Sequence, residues 1–317
     1  MFTPQGPTLR ELAVQALSSI EHGYDLLAPK FDHTPFRTPD SILDAVASAL
    51  DRIGPFDHGL DLCCGTGAGM RVLRELCRES VTGVDISAGM LAVGRERAEA
   101  ARAREWAEGE APGRTLAGGQ KRAEACGQER ADAGGQEPMG PGVRGRVNAG
   151  VRQRAGLAGH DHASTDHAST DHAPRVTWVR GDARALPFAP VFDLVVSFGA
   201  FGHFLPRELP GLFAQVHSAL RPGGRFAFPI VAPPRPSSPW YWALLGFDAA
   251  MRVRNAVWRP PFVMYYRAFR LDEVRRELTR AGFEVELQAL PEFGRRPDGS
   301  PRCRLVVATR ETDPTPA

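Results

Sequence analysis

Residues 58–69 read HGLDLCCGTGAG, and this stretch, together with the helical run that follows it, decides the fold. Its first half, Gly59 to Cys63, is a short and mostly apolar run of the length that a buried strand takes. Three glycines follow at alternate positions, and residues 70–77, MRVLRELC, then carry apolar side chains at helical spacing. A strand, a glycine turn and a helix start leave free backbone N–H groups that a ligand can approach closely. The stretch therefore predicts a ligand-binding turn.

The kind of ligand is indicated by the acidic residues around this turn. The next strand-like run, VTGVD at residues 81–85, ends in Asp85, twenty positions after Gly65. That spacing places a carboxylate where it can accept hydrogen bonds from the two hydroxyls of a ribose. Met70 stands where the dinucleotide fingerprint needs a glycine, and Asp61 suits an ammonium group better than a pyrophosphate. These residues favour a nucleoside cofactor other than NAD.

Asp61, Cys63, Gly65 and Gly67 resemble motif I of the Rossmann-like (class I) S-adenosylmethionine-dependent methyltransferases, whose pattern is acid-x-Gly-x-Gly-x-Gly. Cys63 departs from this pattern, because it stands where the family has its first glycine. The resemblance implies an α/β fold with a doubly wound, mostly parallel seven-stranded sheet whose last strand is antiparallel. It also implies S-adenosyl-L-methionine as cofactor and methyl transfer to an O, N or C atom of a small-molecule acceptor.

Later motifs extend the resemblance along the chain in the order that the family shows. In residues 84–91, VDISAGML, it implies that Asp85 holds the ribose while two apolar side chains flank the adenine. In residues 181–188, GDARALPF, it implies that Asp182 accepts a hydrogen bond from the adenine amino group. The LRPGG run at 220–224 is a further family mark of purely structural value. The cofactor-binding residues expected from the resemblance are Asp61, Cys63, Gly65, Thr66, Gly67, Asp85, Ile86, Met90, Asp182, Ala183 and Ser197.

One candidate for acid–base chemistry follows the next strand. Residues 191–198, VFDLVVSF, form a continuous apolar run typical of a parallel strand buried on both faces. Ligands of open α/β sheets lie beyond the carboxyl ends of the strands, so the loop GAFGHF at 199–204 should face the reacting methyl group. His203 is the ionisable residue of that loop, and an ordinary imidazole pKa near ~6.5 suits proton removal from a nucleophile. The alternative is that His203 only packs or hydrogen-bonds locally.

The patterns divide the chain into four parts. Residues 1–53 predict an N-terminal helical cover of two helices joined by a turn-rich segment, whose Tyr24 and Phe31 serve either packing or ligand binding. Residues 54–98 and 175–310 predict the methyltransferase domain. Residues 99–174 are poor in large apolar side chains and predict a disordered, low-complexity insertion. The Asp/His repeat at its end is of a type that can bind a divalent metal, but a disordered repeat is the favoured interpretation, and no metal site is predicted.

Residues 232–269 predict a cap inserted before the next helix, rich in aromatic side chains interleaved with arginines. The favoured interpretation is an aromatic-lined pocket for a hydrophobic or planar acceptor. Three alternatives are an amphipathic segment on a membrane surface, a platform for nucleic-acid bases and a cap that only packs against the domain. Asp248 within the most apolar run argues against deep burial in lipid.

Bulk properties narrow the remaining possibilities. The net charge of +2 over 317 residues gives no general attraction to nucleic acid or to an anionic membrane, and no apolar run reaches the ~18 residues of a membrane span. Five scattered cysteines and the absence of a signal sequence indicate reduced thiols in the cytoplasm. An RNA methyltransferase is disfavoured, because neither an Asn/Asp-Pro-Pro-Tyr/Phe motif nor a basic RNA-binding module occurs. A cofactor-binding regulatory member without methyl transfer stays open as an alternative.

Overall fold

The computed structural model describes residues 5–34, 36–109, 173–259, 262–265 and 270–312. The chain divides into two compact units, Met1–Arg102 with His172–Ala317, and Ala103–Asp171. Of the second unit only residues 103–109 are described, as the last turns of a helix. The insertion expected at 99–174, with the Asp/His pairs of its repeat, therefore lies outside the described residues except for 99–109 and 173–174.

Seven strands form one sheet in the order β3-β2-β1-β4-β5-β7-β6. All neighbours pair in parallel except β7, which runs antiparallel to β5 and to β6. This topology confirms the doubly wound sheet with an antiparallel last strand. The strands are β1 (Phe56–Leu62), β2 (Cys77–Asp85), β3 (Arg175–Arg180), β4 (Phe192–Val196), β5 (Leu220–Val231), β6 (Phe283–Ala289) and β7 (Cys303–Arg310).

Eight α-helices accompany the sheet in the described part of the chain. They are α1 (Leu9–Leu17), α2 (Ile20–Leu27), α3 (Asp40–Asp51), α4 (Ala68–Leu76), α5 (Ala88–Gly109), α6 (Leu209–Ala219), α7 (Pro239–Val257) and α8 (Leu271–Arg280). None of these helices combines the length and the apolar character that a membrane-spanning segment needs.

The N-terminal segment differs from the expected pair of helices. Tyr24 lies on α2 and not in a loop, and a 3₁₀ turn (Ala28–His33) follows this helix directly. The side chain of Ser19 starts α2, because its hydroxyl accepts a hydrogen bond from the backbone N–H of His22 at 3.2 Å. Gly23 in the middle of α2 obscured the helical pattern, since glycine is a poor helix former. A Cβ at Gly23 would come within 2.9 Å of the Gln15 carbonyl oxygen, so the close packing of α1 on α2 requires this glycine.

Two apolar clusters lie on opposite faces of the sheet. Along β5, Phe226 and Phe228 belong to one cluster, whereas Ala227 belongs to the other. The first cluster includes buried side chains of α6 and α8, and the second includes buried side chains of α3 and α4. This alternation with period two gives a sheet covered by helices on both faces. The carboxyl ends of β1, β2, β3 and β4 remain as the edge at which a ligand site can form.

One aromatic side chain sets the spacing between α5 and the turn after β1. Trp178 on β3 lies against two glycines: a Cβ built on Gly67 would come within 2.5 Å of its ring, and one built on Gly94 within 2.6 Å. Gly94 lies inside α5, where glycine costs about 1 kcal/mol relative to alanine. The close approach of the indole ring therefore takes precedence over helix propensity at this position.

We expect Gly94→Ala to destabilise the protein by about 1–3 kcal/mol, because the added methyl group must displace the Trp178 ring. Gly246→Ala in α7 is the matched control. Nothing lies within 4 Å of its Cβ position, so propensity alone should stabilise the protein by about 0.5–1 kcal/mol. Urea unfolding of both variants measures the free energy of unfolding. Equal stabilisation of both would show that Trp178 does not constrain α5.

Candidate functional site

The turn between β1 and α4 is built from backbone conformations that favour glycine. Cys63, Gly65 and Gly67 have φ angles of 58°, 52° and 92°. Cys63 is the non-glycine residue with positive φ in the described chain, and it occupies the position where the family pattern has glycine. The Cβ position of Gly65 faces open space, with no atom within 4 Å. The turn therefore leaves a cradle beside Gly65.

Asp61, at the end of β1, is a buried acid with neither a hydrogen-bond donor nor a positive charge of the described chain paired with it. Its side chain is 1% exposed, and neither of its oxygens has a hydrogen-bond partner among the described residues. Burial raises the pKa of Asp61 well above its ordinary value, and the nearby Asp85 carboxylate adds to this shift. The backbone N–H of Met70 lies near enough to lower the pKa slightly, but its geometry is not that of a hydrogen bond. A Cβ on Gly69 would lie 2.5 Å from the carboxylate, so this glycine makes room for it. A buried acid of this kind is suited to a ligand that brings positive charge or N–H donors.

Asp85 closes the turn from the neighbouring strand. One of its oxygens accepts a hydrogen bond from the backbone N–H of Gly65 at 2.8 Å, and the other accepts from the N–H of Ser87 at 2.9 Å. Burial raises the pKa of Asp85 although these hydrogen bonds oppose the shift. The pair Asp85–Arg180 in the β2–β3 register brings Asp182 to the same edge of the sheet. Burial, and then the carboxylates of Asp85, Asp61 and Asp182, raises the pKa of the Cys63 thiol, so three acids surround this residue.

Asp182 has a partner of its own in the structure. The guanidinium of Arg184 donates to both of its oxygens, with the shortest contact at 2.8 Å, and the Arg184 backbone N–H donates at 2.9 Å. Burial alone would raise the pKa of Asp182, but the hydrogen bonds from Arg184 lower it overall. Arg184 also donates to Glu208 at 3.1 Å, which holds the guanidinium in place.

The N-terminal segment is attached to the sheet edge through acidic side chains. Asp25 on α2 accepts hydrogen bonds from the Ser87 hydroxyl at 2.6 Å and from the Gly89 backbone N–H at 2.8 Å. Asp32 accepts one from the hydroxyl of Thr66 at 2.7 Å. These contacts fasten the cover directly to the turns that follow β1 and β2.

A cavity of about 400 Å³ lies between this cover and the sheet edge. This size is typical of small-molecule and cofactor sites. Besides the acids and the turn, it is lined by apolar and aromatic side chains of the cover and of the loops after β4 and α7: Ile20, Tyr24, Phe31, Phe36, Phe198, Phe204 and Met264.

His203 lies in this cavity within a fixed hydrogen-bond arrangement. Its Nδ1 is 2.8 Å from the carbonyl oxygen of Val263, and its Nε2 is 2.8 Å from the hydroxyl of Tyr24. A carbonyl oxygen only accepts, so Nδ1 carries the proton and Nε2 accepts from the Tyr24 hydroxyl. Burial lowers the pKa of His203 below its ordinary 6.5, although the bond to Val263 opposes the shift. The imidazole is therefore neutral at neutral pH, with its basic nitrogen facing Tyr24.

Ten of the twelve expected site residues line the cavity: His203, Asp61, Cys63, Gly65, Thr66, Asp85, Ile86, Met90, Asp182 and Ala183. Ser197 does not, because it is fully buried and its hydroxyl donates to the Leu62 carbonyl oxygen at 2.9 Å. Gly67 does not line the cavity either, since its α-carbon faces Trp178. The sequence reasoning missed Asp25, Asp32 and Arg184. No local pattern identifies the two acids, which contact residues more than thirty positions away.

The site fits the cofactor expected from motif I. The unpartnered oxygens of Asp61 can accept hydrogen bonds from an ammonium group, and the open side of Gly65 leaves room for a ligand against the backbone. The described residues contain no group of three or more His, Cys, Asp or Glu side chains that could hold a metal ion.

Comparison with known proteins gives three findings. A family model described as "Methyltransferase domain" matches residues 31–288. An uncharacterised methyltransferase of Synechocystis sp. is 34% identical over 87 residues, which are 27% of this chain and 40% of that protein, so the match spans less than half of the relative. Among solved structures, a candidate O-methyltransferase from Nostoc punctiforme has a TM-score of 0.54 at 15% identity, covering 93% of this chain and 62% of its own. A magnesium protoporphyrin IX methyltransferase from Synechocystis, solved with bound S-adenosylhomocysteine, has a TM-score of 0.46 at 14% identity, covering 86% and 82%.

We expect Asp61→Asn to weaken binding of S-adenosylmethionine ~10- to 100-fold, because a charged acceptor for its ammonium group is replaced by an amide, a loss of about 1.5–3 kcal/mol. The same change should stabilise the free protein. Since the pKa of Asp61 is raised on folding, its ionisation destabilises the fold as pH rises above the ordinary 3.8, and the advantage of the variant should grow over that range.

Calorimetric titration and thermal unfolding at several pH values measure both effects. Asp44→Asn is the matched control, since that exposed carboxylate pairs with Arg71 at the surface and should affect neither quantity. Unchanged cofactor affinity in the Asp61 variant would contradict the proposed role.

Proposed function

The chain belongs to the family of methyltransferase domains, and from that premise we propose that it transfers the methyl group of S-adenosylmethionine to a small, hydrophobic or aromatic acceptor. The acceptor atom is an O, N or C atom. The observation that carries the proposal is the unpartnered carboxylate of Asp61, buried beside the glycine turn and close to Asp85. An acid in this state is expensive unless a cationic ligand compensates it.

The residues that would hold the cofactor are those of motif I and its neighbours. Asp61 and the turn around Gly65 would take the amino-acid part, and Asp85 would accept from the ribose hydroxyls. Ile86 and Met90 would flank the adenine, and Asp182 with the Ala183 backbone N–H would hydrogen-bond its edge. When bound, the cofactor supplies a methyl group already activated by the sulfonium.

The acceptor would occupy the aromatic part of the cavity. Tyr24 lies with its ring 6.1 Å from Phe31 and 5.2 Å from His203, measured between ring centroids. Both arginines that line the cavity are paired with acids, Arg37 with Asp40 at 2.8 Å and Arg184 with Asp182 at 2.8 Å. An apolar wall without an uncompensated cation among the described residues favours a neutral, hydrophobic acceptor over an anionic one.

The chain contributes orientation first. Holding the acceptor atom in line with the methyl group can supply ~7–11 kcal/mol of barrier reduction in favourable cases. The aromatic side chains and the cover attached through Asp25 and Asp32 are the groups that would restrict the acceptor to that line and exclude water.

His203 would then receive the proton of an O–H or N–H acceptor. Its Nε2 lone pair accepts a hydrogen bond from the Tyr24 hydroxyl, so Tyr24 can relay a proton. The acceptor would donate its proton to the Tyr24 oxygen while Tyr24 donates its own proton to Nε2. The product of this transfer is an imidazolium whose Nδ1–H stays on the Val263 carbonyl oxygen. General base help of this kind contributes ~10²- to 10⁴-fold. A carbon acceptor that is already acidic in water would not need it.

The function is tested by incubating the protein with S-adenosylmethionine labelled in its methyl group and a metabolite extract, then identifying the labelled product by mass spectrometry. We expect a small, hydrophobic labelled product together with S-adenosylhomocysteine. Asp85→Ala is the negative control. It removes the acceptor of the Gly65 and Ser87 N–H groups, so it should weaken cofactor binding severely and abolish labelling. Tight cofactor binding without any labelled product would instead indicate a regulatory member of the family.

With the acceptor identified, we expect His203→Ala to lower turnover ~10²- to 10⁴-fold and to leave the affinity for the cofactor unchanged. Tyr24→Phe should lower turnover less, because the acceptor can then donate directly to Nε2. In the parent, activity should fall as the pH drops through the lowered pKa of His203, below 6.5, since protonation removes the basic lone pair. His22→Ala, on the exposed side of α2, is the control. An acid limb that survives in His203→Ala would contradict the base assignment.

A further inference from the structure

Helix α7, residues Pro239–Val257 of the expected cap, shows the reverse of the usual surface-helix pattern. At 100° per residue, positions 244, 248, 251 and 255 share one side of the helix. This side faces the protein, since Asp248 and Met251 are its two buried residues. The acid of the helix thus lies inward, beside an apolar cluster formed by Met251 with residues 262–265.

The outward side of α7 is apolar from end to end. It consists of positions 242, 246, 249, 253 and 257, which carry Trp, Gly, Ala, Val and Val. Trp242 is 60% exposed, Val253 64% and Val257 78%. Trp240 and Trp258, at the two ends of the helix, are exposed as well. Apolar side chains in such a continuous array are uncommon on a free surface and mark a site of interaction.

The exposed charges carried by this segment itself are all positive. Between residues 231 and 259, the exposed charged side chains are Arg235, Arg252 and Arg259, and the acid of this segment is buried. Arg235 is paired with Asp298 at 3.3 Å, whereas Arg252 lies over the Tyr265 ring at 5.1 Å. The half-buried Arg254 donates to the Ser18 carbonyl oxygen at 3.1 Å, which brings the end of α1, with its exposed Leu17, beside the helix.

From this combination we propose that α7 rests on the surface of a membrane containing anionic lipid, its tryptophans and valines in the interface and its arginines at the headgroups. Tryptophan is enriched at bilayer interfaces, and an arginine near an anionic leaflet contributes about 1 kcal/mol. The helix lies on the bilayer and does not cross it, because its inward side is packed against the protein through Met251. A second copy of the chain fits this face less well. An isologous contact would place Arg252 and Arg259 of both copies together with no carboxylate on the face.

This surface is independent of the methyl transfer proposed above. Met264 belongs to the cluster packed against the inward side of α7 and also lines the cavity. The inward side of α7 is therefore linked to the cavity through one apolar cluster, whereas the proposed membrane surface is the opposite side of the helix.

The test is co-sedimentation of the full chain with phosphatidylcholine vesicles made with and without phosphatidylglycerol. We expect binding that increases with phosphatidylglycerol, weakens with added salt, and shifts the tryptophan emission to shorter wavelength. Val253→Glu, at the centre of the apolar face, should lower vesicle binding at least ~10-fold. Arg252→Gln and Arg259→Gln should each lower it ~5-fold on phosphatidylglycerol vesicles only, as expected for about 1 kcal/mol per cation.

The matched control is Val191→Glu, an exposed valine just before β4, at the amino-terminal edge of the sheet, which should bind vesicles like the parent. Circular dichroism and cofactor binding of both variants establish that they are folded. The proposal is overturned if the parent does not bind vesicles, or if Val253→Glu and Val191→Glu bind equally. It is also overturned if light scattering shows a dimer that Val253→Glu dissociates while vesicle binding is absent, since the face would then join two copies.

Discussion

The structure depends on one electrostatic constraint, the placement of Asp61 inside the protein at the carboxyl end of the central strand. A carboxylate that is 1% exposed and lacks hydrogen-bond partners opposes folding, and Asp85 in the neighbouring strand adds to its cost. Three neighbouring features make room for the Asp61 side chain or leave it accessible to a ligand. Gly69 leaves the space that the Asp61 carboxylate occupies, the turn around Gly65 keeps one side open, and residues of the cover line the cavity above it. The proposed cofactor, with its cationic groups, would compensate this buried acid, and the energetic cost of Asp61 in the free protein would then favour binding.

The cover is itself attached through acids, and this explains how a segment of short helices is held over the sheet. Asp25 and Asp32 bind to hydroxyl and N–H donors in the two turns that would hold the cofactor. The same donors belong to Thr66, Ser87 and Gly89, so the positions of the cover and of the binding turns depend on each other. A ligand that orders the turns would also order the cover, and with it the aromatic wall of the cavity.

The sheet could be predicted from the family resemblance that the motifs carry, and the same motifs name most of the expected site residues that line the cavity. Strand runs, the glycine turn and the helix ends determine the order of elements, and this order places Asp61, Asp85 and Asp182 at one edge. The N-terminal helix α2 was missed because Gly23 interrupts its pattern. The Ser197 hydroxyl binds the neighbouring strand and does not line the cavity, so its expected cofactor contact stays a prediction. The contacts of Asp25, Asp32 and Tyr24 could not be predicted. They join residues that are far apart in sequence, and only the packed fold determines which polar groups meet.

The outer helix and the proposed base are connected by residues 262–265. The side-chain oxygen of Asn255 on α7 accepts a hydrogen bond from the Phe262 backbone N–H at 2.8 Å. Its side-chain nitrogen donates to the Phe262 carbonyl oxygen at 3.0 Å and to the Tyr265 hydroxyl at 3.1 Å. Tyr265 in turn donates its backbone N–H to the Gly202 carbonyl oxygen at 2.8 Å, next to His203, whose Nδ1 is held by the Val263 carbonyl oxygen. That carbonyl fixes the proton on Nδ1, so the contacts of α7 with residues 262–265 support the tautomer that the proposed base role of His203 requires. The helix that presents an apolar face to the outside would therefore also help to orient the proposed proton acceptor, His203.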